Sequence, residues 1–189
     1  MEEIARPFRV CLTGAESTGK SELAKELARQ FAAPWVPEYA REYAERANRE
    51  LSYMDVMPIA RGQMELEERV SAGARDLLIL DTDLLSTVVY SRHHFGACPA
   101  MIEALARTRL ADLYLLMDVD VPWMADPVRD SGHDLHEQFC DALDEFEATV
   151  RTISGGWEER LERTLRAIEE ALTRRRESPT PRSGESDGG

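Results

Sequence analysis

Apolar positions along the chain follow two alternating rhythms. Phe8-Arg9-Val10-Cys11-Leu12-Thr13, Leu77-Leu78-Ile79-Leu80-Asp81 and Leu113-Tyr114-Leu115-Leu116-Met117 are short, dense runs. Such runs read as strands covered on both faces. Trp35-Val36-Pro37 and Thr149-Val150-Arg151-Thr152-Ile153 are weaker candidates for a second and a fifth strand. Between these runs the spacing becomes helical. Leu23, Leu27 and Phe31 form one stripe. Ile59, Gln63, Leu66 and Val70 form another, opened by Asp55 and Pro58. Leu135, Phe139, Leu143 and Phe146 form a third, and Trp157, Leu161, Leu165, Ile168 and Leu172 a fourth. A stripe at three- and four-residue spacing buries one helix face, so all four are assigned to the core. Strands alternating with helices predict an α/β domain built on a parallel sheet. Ser91-Arg92-His93-His94-Phe95-Gly96 reads as loop or substrate-edge residues. From Glu177 the chain is rich in Ser, Pro, Gly and charge. Too little apolar surface is available there to offset the entropy of ordering. Residues 1–176 are therefore expected to form one domain and 177–189 a disordered tail.

Length and composition narrow the class. A chain of 189 residues, 43% hydrophobic and 31% charged, suits one globular domain with a proper core. No apolar run approaches the roughly 20 residues that span a bilayer. Met1-Glu2-Glu3 does not open a signal peptide. Cys11, Cys98 and Cys140 are too few and too scattered for a disulfide framework or a zinc site, so the cytoplasm is the expected location. A net charge of −13 opposes non-specific binding to nucleic acid or anionic membrane. The expected partners are small molecules. The same charge repels phosphates at long range, so a bound phosphate must be held by a local cluster.

That cluster is legible. Gly14-Ala15-Glu16-Ser17-Thr18-Gly19-Lys20-Ser21 has the spacing of the P-loop, G-x-x-x-x-G-K-[ST]. It lies between the first strand and the first helical stripe, which is the context the motif requires. Its glycines let successive backbone N–H groups converge on one anion, and the helix start adds the positive end of a dipole. Lys20 can reach the β- and γ-phosphates of ATP, and the Ser21 hydroxyl can ligate Mg²⁺. ATP is the expected nucleotide, since no guanine-specific motif is evident.

Ligands in open α/β sheets bind beyond the carboxyl ends of the strands, which directs attention to three further blocks. Asp81-Thr82-Asp83 closes the third strand in the Walker B pattern, with one carboxylate for the metal and one for the acceptor; capping of the next helix is the structural alternative for an Asp here. Glu38-Tyr39-Ala40-Arg41 follows the second strand. Glu38 could take or orient the proton of an acceptor hydroxyl, and Arg41 could hold a phosphate or ribose. Pro122-Trp123-Met124-Ala125-Asp126-Pro127-Val128-Arg129 combines turn formers with charge, as a lid would. Arg129 would neutralise developing charge, Asp126 would orient it, and Trp123 would stack on a base or pack the lid. Gln63 is a candidate for substrate contact or for structure.

In chain order the P-loop, the Glu38 block, the Asp81 block and the Pro122 block resemble the NadR-like P-loop ATPases, and within them the ribosylnicotinamide kinase domains, from about Phe8 to Leu172. The resemblance implies a P-loop fold of the nucleoside- and nucleotide-kinase type with a five-stranded parallel sheet. It implies transfer of the ATP γ-phosphate to the 5′-hydroxyl of a nucleoside, with nicotinamide riboside the expected acceptor. Gly14 to Ser21 would hold ATP and Mg²⁺, Ser21 and Asp81 the metal. Glu38 or Asp83 would serve the acceptor beside Tyr39 and Arg41, and Lys20 and Arg129 the transferred group. Pro37 stands where the family carries a Trp suited to stacking on the nicotinamide ring; the nearest Trp is Trp35. Seven residues precede the first strand, so the chain reads as a stand-alone kinase-like module. Two alternatives remain open to the sequence: a nucleotide-dependent regulatory module without a small acceptor, and a kinase for another nucleoside.

Overall fold

The computed structural model describes residues 6–120 and 132–177. Five strands, β1 (Phe8–Thr13), β2 (Trp35–Val36), β3 (Leu77–Asp81), β4 (Leu113–Met117) and β5 (Val150–Ile153), form one sheet in the order β2-β3-β1-β4-β5. Every pairing is parallel. The helices are α1 (Lys20–Gln30), α2 (Tyr39–Ala47), α3 (Val56–Ser71), α4 (Leu84–Phe95), α5 (Ala100–Thr108), α6 (Gly132–Glu145) and α7 (Trp157–Glu177).

Strand alternation divides the core in two. On β3, Leu78 and Leu80 join Cys11 of β1 and Tyr114 and Leu116 of β4 beneath α3, α4, α5 and α6. Leu77 and Ile79 face the other way, with Val10, Leu12, Leu113 and Leu115, beneath α1 and α7. Central strands with both faces covered are what the dense apolar runs predict. The five expected strands agree with the structure to within a residue at each end.

Two expectations are corrected. Ser91 to Phe95 are helical, the last turn and a half of α4, ended by Gly96 at φ +71. Polar residues at the exposed end of a helix resemble a loop in sequence. Trp157 is 48% exposed and lies outside the core. The buried line of α7 instead runs Arg160, Thr164, Ile168, Ala171. The same helical period is present, but its first two buried positions are polar, which a search for apolar residues passes over.

Candidate functional site

All the strands are parallel, so their carboxyl ends share one edge, and the phosphate loop lies there between β1 and α1. Gly14 has φ +124, and a side chain on it would come within 2.9 Å of the Met117 carbonyl oxygen. Glycine is therefore required both for backbone shape and for the close passage of β4. The Ala15 carbonyl accepts hydrogen bonds from Lys20 Nζ at 2.6 Å and Thr18 Oγ1 at 2.8 Å. The loop is thus braced by its own side chains. Burial pulls the Lys20 ammonium below its ordinary pKa, against the opposing pull of Glu38, Asp81 and Glu16.

Glu16, Ser17, Gly19, Lys20 and Ser21 open onto a cavity of about 620 Å³. Glu38, Ala40, Arg41, Ala44 and Glu45 from the start of α2 form its far wall; Leu51, Val56 and Ile59 give it an apolar side; Thr82, Ser86 and Tyr90 close it along α4. Glu38 is the N-cap of α2 and pairs with Arg41 at 3.2 Å. Burial, then the negative charge of Asp81, raises the Glu38 carboxyl above its ordinary pKa. A desolvated carboxylate close to a buried lysine is a common arrangement for a general base.

Asp81 is 2% exposed and sits behind Ser21. Burial raises its pKa, and a hydrogen bond from the Ser21 hydroxyl lowers it. Its Oδ1 is buried without a hydrogen-bond partner. A buried, unpartnered carboxylate oxygen beside a hydroxyl provides hard oxygen donors, and this set fits Mg²⁺.

Two sequence assignments are displaced. Asp83 does not line the cavity. Its carboxylate caps α4, accepting from Leu85 N at 3.0 Å and Ser86 N at 3.4 Å, and receives the Tyr114 hydroxyl at 2.5 Å. The cause is Thr82, whose φ of +69 turns the chain sharply after Asp81. Thr82 thereby reaches the cavity wall and Asp83 returns to the core. An Asp directly before the apolar pair Leu84-Leu85 carries an N-cap signal, and here the cap prevails over an acceptor role. Tyr39 is likewise turned away. Its ring packs on Gly62 of α3, and its hydroxyl accepts from Arg46 at 2.9 Å. Only its backbone N–H faces inward, donating to Gln63 Oε1 at 2.9 Å. Arg129, Trp123 and Asp126 lie outside the described residues.

Gln63, a sequence candidate for substrate contact or for structure, lines the cavity and holds the first turn of α2. The structure adds Tyr90, which motif reading missed. Tyr90 stacks with His94, ring centroids 6.1 Å apart and planes 12° apart, and both line the cavity. Their i, i+4 spacing on one helix was the available signal. Trp35 does not line it; its ring packs in the layer under α1 and α7, with Lys25 Nζ 5.8 Å from the ring centre. The loop before α3 is shaped by Asp55, which receives Arg49 through two bonds at 2.8 and 2.7 Å, Tyr43 at 2.9 Å, and both the backbone and the hydroxyl of Ser52. The Arg49 guanidinium, followed by Ser52, holds the Asp55 carboxyl well below the usual carboxylate range.

Comparison with known proteins agrees with this fold. The AAA domain family matches residues 9–160. The trifunctional NAD biosynthesis/regulator protein NadR of Salmonella typhimurium is 30% identical over 137 residues, which is 67% of this chain and 33% of that protein. The chain therefore spans about a third of the length of this relative. A crystal structure of NadR in complex with NR superposes at TM-score 0.77 with 26% identity, over 88% of this chain and 51% of that one. NadR in complex with NAD and AMP-PNP gives 0.75 with 26% identity, over 95% and 52%. At the level of fold alone, thymidylate kinase from Ehrlichia chaffeensis gives 0.68 with 13% identity, over 87% and 99%.

Proposed function

Since the chain belongs to the AAA domain family, as a NadR-like P-loop kinase domain, we propose that it transfers the γ-phosphoryl group of ATP to the 5′-hydroxyl of a nucleoside, nicotinamide riboside above others. The observation that carries this reading is one cavity that brings together the phosphate loop, Lys20 and the desolvated Glu38 carboxylate. Phosphoryl transfer needs little covalent help from a protein; it needs alignment and charge. Glu38 orients the acceptor hydroxyl and takes its proton. Lys20 leaves the Ala15 carbonyl and offsets charge on the transferred group. Ser21 and Asp81 would hold Mg²⁺, which supplies charge neutralisation at the phosphates. Arg41 steadies Glu38 or the ribose. Arg129 is proposed for the lid, with Asp126 to orient it and Trp123 beside the base.

The acceptor end favours a nucleoside over a nucleotide. Among the described residues of the α2 wall, Glu38 and Glu45 accompany Arg41, and Arg41 is already paired with Glu38. A monophosphate acceptor would meet more negative than positive charge there. The cationic ring of nicotinamide riboside suits such a wall, and the Tyr90–His94 stack offers an aromatic face in place of the missing Trp.

The test is Mg²⁺-dependent ATP consumption by the purified protein with a panel of nucleosides, with product mass confirmed. A monophosphate formed from nicotinamide riboside is the expected result. Turnover with another nucleoside keeps the mechanism and changes the acceptor. ATP binding without acceptor-dependent turnover overturns the kinase reading in favour of a nucleotide-dependent regulatory module.

A further inference from the structure

Arg160 is the polar residue that opens the buried line of α7, and it is 3% exposed. All three of its guanidinium nitrogens are engaged. Nη1 donates to the Thr18 carbonyl at 3.0 Å, Nε to the Gly155 carbonyl at 2.7 Å, and Nη2 to the Asp118 carbonyl at 2.9 Å and to Asp120 Oδ1 at 2.5 Å. Asp120 in turn accepts from Gly155 N at 2.5 Å. One buried side chain thus joins the phosphate loop, the exit of β4 and the turn before α7. Burying a guanidinium is costly unless its donors are satisfied, and here the partners come from three separate segments.

The bond to Thr18 has a directional consequence. All described peptide bonds are trans, and in a planar trans peptide the C=O and N–H point in opposite directions. With the Thr18 carbonyl drawn towards α7, the N–H of Gly19 is directed the other way. Gly19 lines the cavity and Thr18 does not. Packing does not fix this plane: a side chain placed on Gly19 would meet nothing within 4 Å, and its φ is +84. Glycine at that angle adopts several backbone states at little cost, so the bond from Arg160 to the Thr18 carbonyl supplies a restraint that Gly19 itself does not.

We propose that Arg160 is a positioning residue of the phosphate loop, holding the Thr18–Gly19 peptide so that the Gly19 N–H faces the bound phosphates. Asp120 keeps the Arg160 fork aligned. The proposal rests on the reading that this loop binds nucleotide phosphates.

Calorimetric titration of the wild-type protein, Arg160→Gln, Arg160→Lys and Asp120→Asn with Mg²⁺-ATP and with inorganic tripolyphosphate tests it, with circular dichroism to confirm folding. A positioning role on the loop weakens both ligands by a similar factor, at least tenfold for Arg160→Gln and less for Asp120→Asn. Arg160→Lys recovers only part of the loss, because an ammonium keeps the charge without the fork. Weakening of ATP with tripolyphosphate unaffected overturns the proposal, since Arg160 would then act on the base side through Gly155. Unchanged binding of both ligands overturns it as well. Should Arg160→Gln not fold, the Lys and Asp120 variants carry the same comparison. A wild-type protein that binds neither ligand would instead overturn the reading of the site itself.

Discussion

Glu38 and Lys20 carry opposite charges in one cavity, and burial disfavours the charged form of each, which suits a base and is resisted at Lys20 by the surrounding carboxylates. Burial raises the Glu38 carboxyl and lowers the Lys20 ammonium. A base works when deprotonated, so a raised pKa moves the acid loss of activity to higher pH. The kcat of the wild-type enzyme is expected to fall as pH drops through a value above the ordinary carboxylate pKa of 4.5. Glu38→Gln should lower kcat by about 10²–10⁴-fold and abolish that acid limb; a limb that persists in the variant assigns the titration to another group. Lys20→Ala should reduce turnover by about 10²–10³-fold while far-UV circular dichroism is unchanged. Activity within a few-fold of wild type would contradict the charge-offset role.

Helix α2 meets α3 where Tyr39 lies flat on Gly62. A methyl group on Gly62 would fall 2.0 Å from Tyr39 Cε1 and 2.2 Å from Cζ. Two effects oppose each other in Gly62→Ala. Helix propensity favours alanine by about 0.8–1 kcal/mol, while overpacking costs about 1–3 kcal/mol. The clash is expected to win, lowering the melting temperature and displacing the Tyr39 ring from α3. A variant of raised melting temperature would show that the ring gives way freely. At this scale the sequence was informative about strands and less so about helix ends. Continuous runs such as Leu77 to Leu80 admit few readings, because a strand buried on both faces must be apolar throughout. The fate of Asp81, Thr82 and Asp83 was harder to read. It depends on one left-handed residue, Thr82, which a threonine rarely adopts and no local pattern announces. Tyr39 was misplaced for a related reason: a helix period says which residues share a face but not which neighbour each face meets.

In the molecule as a whole, a buried carboxyl on α3 is held against two partly exposed arginines. Glu67 is 3% exposed and receives Arg9 Nη2 at 2.7 Å, with Arg109 at 3.7 Å. Burial outweighs the two arginines and pushes its pKa from 4.5 to about 7. Between those values the folded state holds a proton that the unfolded state has released. Stability from this group therefore falls as pH rises from 4.5 to 7, by at most about 1.4 kcal/mol per pH unit. Urea titrations of wild type and Glu67→Gln at several pH values should show a flatter dependence in the variant over that window; parallel curves would contradict the assignment. The phosphate loop, the sheet and the Glu38 wall could be read from motif and period. Glu67 and Arg160 could not, because each draws its meaning from partners 58 to 142 residues away in the chain.

No residue of α2 is fully buried, although Arg41, Ala44 and Glu45 line the cavity where the acceptor is proposed to bind. Stability resides in the sheet and its two apolar layers, while under the proposed function acceptor selectivity falls to a helix with no buried residue. Substitutions along that wall can thus be tried at small cost in folding free energy. A lineage, or a designer, can exchange one acceptor for another while leaving the phosphate-handling half of the molecule untouched.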